Sequence, residues 1–182
     1  EIASCLVGSE MCIRDSYQSG LKNLLDHAVL EHVELQTDLR LAQDYRKVDE
    51  VPFDFVRRRM SVIVSERNDH HELICKGAVE EMLDVCTQVR VVEDSGAQDL
   101  PLDATLRARV LEVTRGLNNE GLRVVAVAMK ETPPHQTVYS VADESGLTLI
   151  GYVAFLDPPK ESTAPALKAL AAHGVAVKVL TC

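Results

Sequence analysis

Two apolar segments near the middle of the chain alternate in the manner of β-strands. Residues 60–64 carry large apolar side chains at every second position, which predicts a strand that is buried mainly on one face. A turn signal follows at Asn68-Asp69, and residues 72–75 continue with a second short apolar run. The pattern therefore predicts a β-hairpin.

Longer segments repeat apolar residues at helical spacing. Residues 20–35 place leucine, alanine and valine on one face, which predicts an amphipathic helix. A short helix is predicted from Val79 to Cys86, and a longer one over 106–117 that ends near Gly121, a residue type favoured just past a helix C-terminus. A further helix is predicted around 166–170.

The remaining segments complete the predicted order of elements. Short apolar runs predict strands at residues 123–129, 139–141, 147–155 and 175–180, whereas the polar segments 43–50 and 93–103 predict loops. This order favours an α+β fold in which an antiparallel β-sheet is flanked by helices. The last elements would be the first strand, helix and strand of a parallel α/β domain.

Composition narrows the class of protein. The 182 residues are 46% hydrophobic and 26% charged, as in a soluble globular domain, and no apolar run approaches the ~20 residues that span a bilayer. A net charge of −9 and only 4% aromatic residues argue against a nucleic-acid-binding or membrane-binding surface. The five cysteines form no C-x-x-C pair, which indicates free thiols and a cytosolic location.

Three short segments next to predicted strands carry candidate binding residues. Phe53 follows Pro52 and offers a ring on which a planar base can stack, although a core role is the alternative. The basic run 57–59 offers cations, or else protects a strand edge by its charge. Lys76-Gly77-Ala78 joins a strand to a helix, where glycine allows close approach to the backbone, but this tripeptide is common. Arg123 suits a phosphate or is simply a surface cation.

Other motifs predict no further chemistry. His71-Glu72-Leu73-Ile74-Cys75 is similar to H-E-x-x-H, but that zinc motif needs a helix to bring both ligands to one face. The stretch is predicted to be a turn and a strand with solvated histidines. The chain has no G-x-x-x-x-G-K-[ST] motif and no order of residues typical of a nucleophilic triad.

Taken together, the segments resemble the nucleotide-binding domain of P-type cation-transporting ATPases. The resemblance runs from about Tyr17 to Thr181 and continues into the start of the phosphorylation domain, which belongs to the haloacid-dehalogenase-like class. Residues 17–26 (YQSGLKNLLD) and 51–62 (VPFDFVRRRMSV) are most similar to the bacterial magnesium-transporting branch. The implied domains are 17–152 for nucleotide binding and 153–182 for the truncated start of the C-terminal part of the phosphorylation domain.

The resemblance assigns a role to each matching residue. Phe53 would stack on adenine, Arg58 would lie near the base and phosphates, and Lys76 would line the adenine pocket. Gly77 would give close backbone approach, and Arg123 would contact the phosphates.

Three further residues match only through the resemblance. Asp26 would bond the adenine amino group, and Asp157 belongs to a hinge segment near the ribose and phosphates. Thr181 matches the first residue of a Thr-Gly-Asp motif, in which Cys182 stands where the family has glycine.

The implied activity is that of an ion pump. ATP with Mg²⁺ would donate its γ-phosphate to the aspartate of an Asp-Lys-Thr-Gly-Thr motif on the neighbouring domain. These 182 residues contain no such motif, so the chain is expected to bind ATP without turning it over. Its partners would be the phosphorylation, actuator and transmembrane domains of one parent chain, at the cytoplasmic face of the inner membrane, without nucleic-acid or direct membrane contact.

Several alternatives remain open from sequence. The parent could be a calcium or proton pump, a dehalogenase-like phosphatase, or a structural domain without a ligand. Residues 1–16 match nothing in the family and are expected to be a foreign or disordered segment.

Overall fold

The fold is seen in a computed structural model that describes residues 3–4, 45–66, 70–93, 96–156 and 162–178. Within these ranges eight strands form one sheet, in the order β2-β3-β4-β7-β8-β5-β6 with β1 also paired to β8. The strands are β1 (Ala3–Ser4), β2 (Tyr45–Asp54), β3 (Arg59–Glu66), β4 (His71–Gly77), β5 (Cys86–Glu93), β6 (Gly96–Pro101), β7 (Leu122–Thr132) and β8 (Leu147–Leu156).

The sheet is antiparallel at nearly every ladder of the described part. Only β5 and β8 run parallel there. The predicted β3–β4 hairpin is confirmed, with Val62 opposite Ile74 in its register. The predicted antiparallel α+β sheet is therefore confirmed, and its central strands bring the segments around Arg58, Gly77 and Arg123 to one end.

Three helices are present in the described ranges: α1 (Val79–Leu83), α2 (Ala104–Asn119) and α3 (Thr163–Ala172). Helix α2 begins because the Asp103 carboxylate accepts a hydrogen bond from the Leu106 amide at 2.8 Å. It ends at Asn119, and Gly121 two residues later has a φ of +86°, which lies in the region that glycine tolerates best. These helices confirm the predictions after Val79, although α1 stops before Cys86, which begins β5.

Apolar side chains fill both faces of the sheet. On one face, residues such as Ile63 and Leu73 pack with Met82 and Leu83 of α1 and with the apolar stripe of α2. Because side chains alternate along a strand, their neighbours Val62 and Ile74 form a second cluster on the opposite face. The strands at the centre are thus buried on both sides, which explains their continuous apolar runs.

Two predicted loops are wrong because they are strands. Residues 45–54 form β2 at one end of the strand order, and 96–101 form β6 at the other. Each of these strands pairs with only one neighbour in the strand order. Many of their polar side chains are exposed or half-exposed, so apolar periodicity does not reveal them. In addition to the backbone ladder between β5 and β6, Arg90 donates to both Asp99 carboxylate oxygens at 2.7 and 2.8 Å.

The predicted strand at 139–141 is also wrong. That segment is irregular and leads into a 3-10 turn at Val141–Asp143. Side-chain contacts anchor it instead of a ladder: the Tyr139 hydroxyl lies 2.9 Å from Thr132 Oγ1 and 3.2 Å from His71 Nδ1.

The predicted solvated histidines need a correction at His71. The His71 side chain is buried at the start of β4, where its Nδ1 lies 3.2 Å from the Tyr139 hydroxyl, whereas His70 is partly exposed. Within the residues that the structure describes, no group of three or more His, Cys, Asp or Glu side chains is placed to hold a metal ion.

The final helix is confirmed at α3, and Gly174 with φ of +75° follows it. Residues 175–178 carry no strand, and 179–180 lie outside the described residues, as does the predicted helix 20–35. Strand β8 belongs to the large sheet, so the described residues do not include a separate parallel domain.

Two cysteines give a test of the core. Cys75 and Cys86 are both buried, and burial raises the pKa of the Cys86 thiol to about 12. At pH 8 only ~10⁻⁴ of such a thiol is the reactive thiolate. We expect iodoacetamide to leave both residues unmodified in the folded chain and to label them in guanidinium, as measured by peptide mass spectrometry. Rapid native labelling of Cys86 would contradict the described packing.

Candidate functional site

A cavity lies where β3 and β7 begin and β4 and β8 end. Its volume is about 650 Å³, which is within the ordinary range for small-molecule sites. Five of the seven predicted site residues line it: Phe53, Arg58, Lys76, Gly77 and Arg123. The other two, Asp26 and Asp157, lie outside the described residues, as does Thr181.

Two aromatic rings stand at the cavity. Phe53 is 44% exposed, so it does not belong to the core, and Phe55 is 87% exposed. Their ring centroids are 5.2 Å apart and the rings are nearly perpendicular, at 87°. Such an edge-to-face pair leaves ring surface open to a planar ligand.

The turn after Phe53 is closely organised by Asp54. Its carboxylate accepts hydrogen bonds from the Val56 and Arg57 amides at 2.7 and 2.9 Å. Both hydrogen bonds lower the pKa of Asp54, and the bond from the Arg57 amide contributes most. The Asp54 carbonyl also accepts from the Arg58 amide at 2.7 Å. Arg58 thereby has a φ of +49°, a conformation that costs a non-glycine residue about 1–2 kcal/mol.

The three consecutive arginines have different surroundings. Arg58 lines the cavity, and its Nη1 lies 3.3 Å from Glu81 Oε1 on α1. Arg57 and Arg59 instead both pair with the buried carboxylate of Glu144. The alternative role of this run as a guarded strand edge is therefore wrong for these two, since each bonds to a buried group.

Lys76 and Gly77 form the floor of the cavity at the end of β4. Lys76 is only 7% exposed although it carries a charge, and its position opposite Met60 places it on the same sheet face as Val62 and Ile74. Gly77 packs directly on the next strand: a Cβ there would lie 2.6 Å from the Arg58 carbonyl oxygen and from Arg59 Cβ. The glycine is thus required by strand packing, a reason that differs from the ligand approach predicted from sequence.

Arg123 closes the remaining side of the cavity. It lies one residue after the start of β7, opposite Phe155 in the ladder with β8. Two further residues line the cavity: Phe155 of β8 and Asn118 from the last turn of α2. Neither was predicted from sequence. Phe55 was also missed, and the signal in the sequence was a second phenylalanine two residues after Phe53.

Comparison of the sequence with known proteins shows the family to which the chain belongs. The family model described as "P-type ATPase, cytoplasmic domain N" matches residues 11–162. The chain therefore belongs to the P-type ATPase family, and the resemblance seen in its sequence is confirmed.

Curated relatives support this assignment. The chain is 54% identical over 169 residues to "Magnesium-transporting ATPase, P-type 1" of Escherichia coli (strain K12), and 56% identical over 169 residues to the Salmonella typhimurium (strain 14028s / SGSC 2262) protein of the same name. Both matches cover 93% of this chain and 18% of the relative. "Probable cation-transporting ATPase F" of Mycobacterium bovis (strain ATCC BAA-935 / AF2122/97) is 37% identical over 146 residues, 78% of this chain and 15% of its own length. The chain thus spans about a fifth of these relatives. Among the described residues, no helix has the length and apolar character needed to cross a membrane.

Proposed function

We propose that the cavity binds ATP and that the chain is the nucleotide-binding part of a magnesium-transporting P-type ATPase. This proposal rests on one observation: the exposed Phe53 ring and three cationic side chains line the same cavity. The three cations are Arg58, Lys76 and Arg123. A purine nucleotide needs both features, because its base stacks on a ring and its phosphates are anionic.

The burial of Lys76 strengthens this interpretation. A charge that is only 7% exposed interacts with a ligand through a medium of lower dielectric constant than water. In a chain of net charge −9, three cations around one cavity favour an anion locally. Asp26 and Asp157 are proposed to complete the site at the adenine and at the ribose and phosphates.

In the proposed parent protein, this domain delivers ATP to an aspartate on the phosphorylation domain. Magnesium would be carried on the phosphates and would neutralise the transferred charge. Residues 153–182 would begin the C-terminal part of that haloacid-dehalogenase-like domain, with the actuator and transmembrane domains elsewhere in the parent. The chain would lie at the cytoplasmic face of the inner membrane.

Magnesium is proposed as the transported ion because the Escherichia coli and Salmonella typhimurium relatives, at 54% and 56% identity, are named magnesium-transporting ATPases. Another cation is the second candidate, favoured by the relative at 37% identity that is named a cation-transporting ATPase.

An ATP titration of the chain, followed by amide chemical shifts, tests the proposal. We expect saturable shifts around Phe53, Lys76 and Arg123, and no ATP turnover. Lys76→Met keeps the aliphatic stem but removes the charge, and we expect binding that is about 10- to 150-fold weaker, since a charge-assisted hydrogen bond is worth about 1.5–3 kcal/mol.

Lys130→Met is the matched control. Lys130 lies on β7, away from the cavity lining, and its Nζ donates to the Ser145 carbonyl at 3.0 Å. This variant should bind ATP as the unchanged chain does. A folded chain whose spectrum does not respond to ATP would refute the proposal and favour a structural domain.

A further inference from the structure

We infer that Glu144 is a positioning residue for nucleotide binding, because it holds the turn that carries Phe53 and Arg58 at the cavity. The inference rests on the proposed function. Glu144 is 83–87 positions away from its three partners in sequence and does not line the cavity.

The Glu144 carboxylate is buried and fully used as an acceptor. The residue is 1% exposed, and it lies just after the 3-10 turn that precedes β8. Its Oε1 accepts from Ser61 Oγ at 2.7 Å. Its Oε2 accepts from Arg59 Nε at 3.0 Å and from Arg57 Nη1. A buried carboxylate with three charged or polar donors holds those donors firmly, since leaving any of them unpaired is costly.

These bonds reach both ends of the basic turn. Arg57 donates through its second nitrogen, Nη2, to the carbonyl of Pro52 at 2.8 Å, directly before Phe53. Arg59, held at the other end, is the residue that follows Arg58 and pairs with Gly77 in the β3–β4 ladder. The segment between Pro52 and Arg59 is therefore tied to one carboxylate, through Arg57 at its start and directly through Arg59 at its end.

The three consecutive arginines differ in exposure because only Arg57 and Arg59 pair with Glu144. The side chains of Arg57 and Arg59 are 16% and 14% exposed against Glu144, whereas that of Arg58 is 65% exposed and lines the cavity. Arg58 also has the unfavourable φ of +49°, which persists only where surrounding contacts determine it. Glu144 supplies such contacts, so its loss should loosen the turn and misplace Arg58 and Phe53.

Glu144→Gln tests this because it keeps the shape but removes the charge and one acceptor. We expect ATP affinity of the full chain to fall about fivefold or more, with higher mobility of the amides of residues 55–58 in heteronuclear NOE measurements. Asp99→Asn is the matched control, because it also removes a carboxylate paired with an arginine, but in the β5–β6 hairpin. This control should leave both quantities unchanged.

A double-mutant cycle with Arg58→Ala shows whether Glu144 acts through that cation. If it does, Glu144→Gln should cost less affinity in the Arg58→Ala background than in the unchanged chain, because coupled residues are not additive, and the loss that remains is the part that acts through Phe53. Should Glu144→Gln fail to fold, Arg57→Met replaces it, since Arg57 does not line the cavity and Glu144 keeps Arg59 and Ser61.

The outcomes separate this inference from the proposed function. An unchanged chain that binds no ATP overturns both. A chain that binds ATP, while Glu144→Gln leaves its affinity and turn mobility intact, overturns this inference alone. Equal losses of affinity with and without Arg58 also overturn it, because they would show that Glu144 does not position that cation.

Discussion

Replacing Gly77 by alanine should destabilise the fold and damage the cavity at the same time. The new Cβ would lie 2.6 Å from the Arg58 carbonyl oxygen and 2.9 Å from Arg59 Cα, closer than such atoms can approach. That oxygen is also held by the Ala78 amide at 3.0 Å, so the turn must move away from β4. Overpacking of this kind costs about 1–3 kcal/mol in the free energy of unfolding. Urea denaturation measures the loss.

A second glycine provides the control. Gly116 lies in α2, and a Cβ added there meets no atom within 4 Å. Gly116→Ala should therefore leave stability unchanged or raise it by about 0.5–1 kcal/mol, because alanine favours helix. ATP affinity should fall in Gly77→Ala and stay constant in Gly116→Ala. A Gly77→Ala chain as stable as the unchanged one would show that the strands are not packed as closely as described.

Apolar periodicity predicted the strands that are buried on both faces and missed the partly exposed strands β2, β5 and β6. Strands β3, β4, β7 and β8 were found because their side chains fill the core on both faces of the sheet. Strand β6 is mostly exposed and contributes backbone hydrogen bonds to the sheet, and these leave no mark on the order of side chains. The wrong prediction of a strand at 139–141 has a different cause. This segment is apolar and favours β-structure, but hydrogen bonds of the Tyr139 side chain fix it without a strand ladder.

The residues of the site also fall into two groups, those predicted from the sequence and those that only the folded chain reveals. Phe53, Lys76 and Arg123 belong to local motifs, and the resemblance to the family selected them before any geometry was known. Glu144 gave no such signal, because an isolated glutamate in a polar turn is ordinary. Its role follows from three partners more than 80 positions away, which only the folded chain brings together. For the same reason, sequence alone did not distinguish Arg58 physically from the two arginines beside it.

Phe53→Ala should produce a large loss of ATP affinity with little loss of stability. Stacking of a base on an aromatic ring is worth about 1–3 kcal/mol, so the loss should be about 5- to 150-fold. Because Phe53 is 44% exposed and lies outside the core, the variant should keep nearly all of its stability. Calorimetric titration with ATP, beside thermal denaturation of the same samples, measures both quantities.

Three further variants isolate the aromatic ring. Phe53→Leu keeps an apolar side chain but lacks a π-face, so it should bind nearly as weakly as Phe53→Ala, whereas Phe53→Trp should bind well. Val56→Ala removes apolar surface from the same turn, since Val56 is 90% exposed and does not line the cavity, and it should leave affinity unchanged. If Phe53→Ala and Phe53→Leu bound ATP as the unchanged chain does, the base would not stack on this ring, and Phe55 or Phe155 would be the next ring to replace.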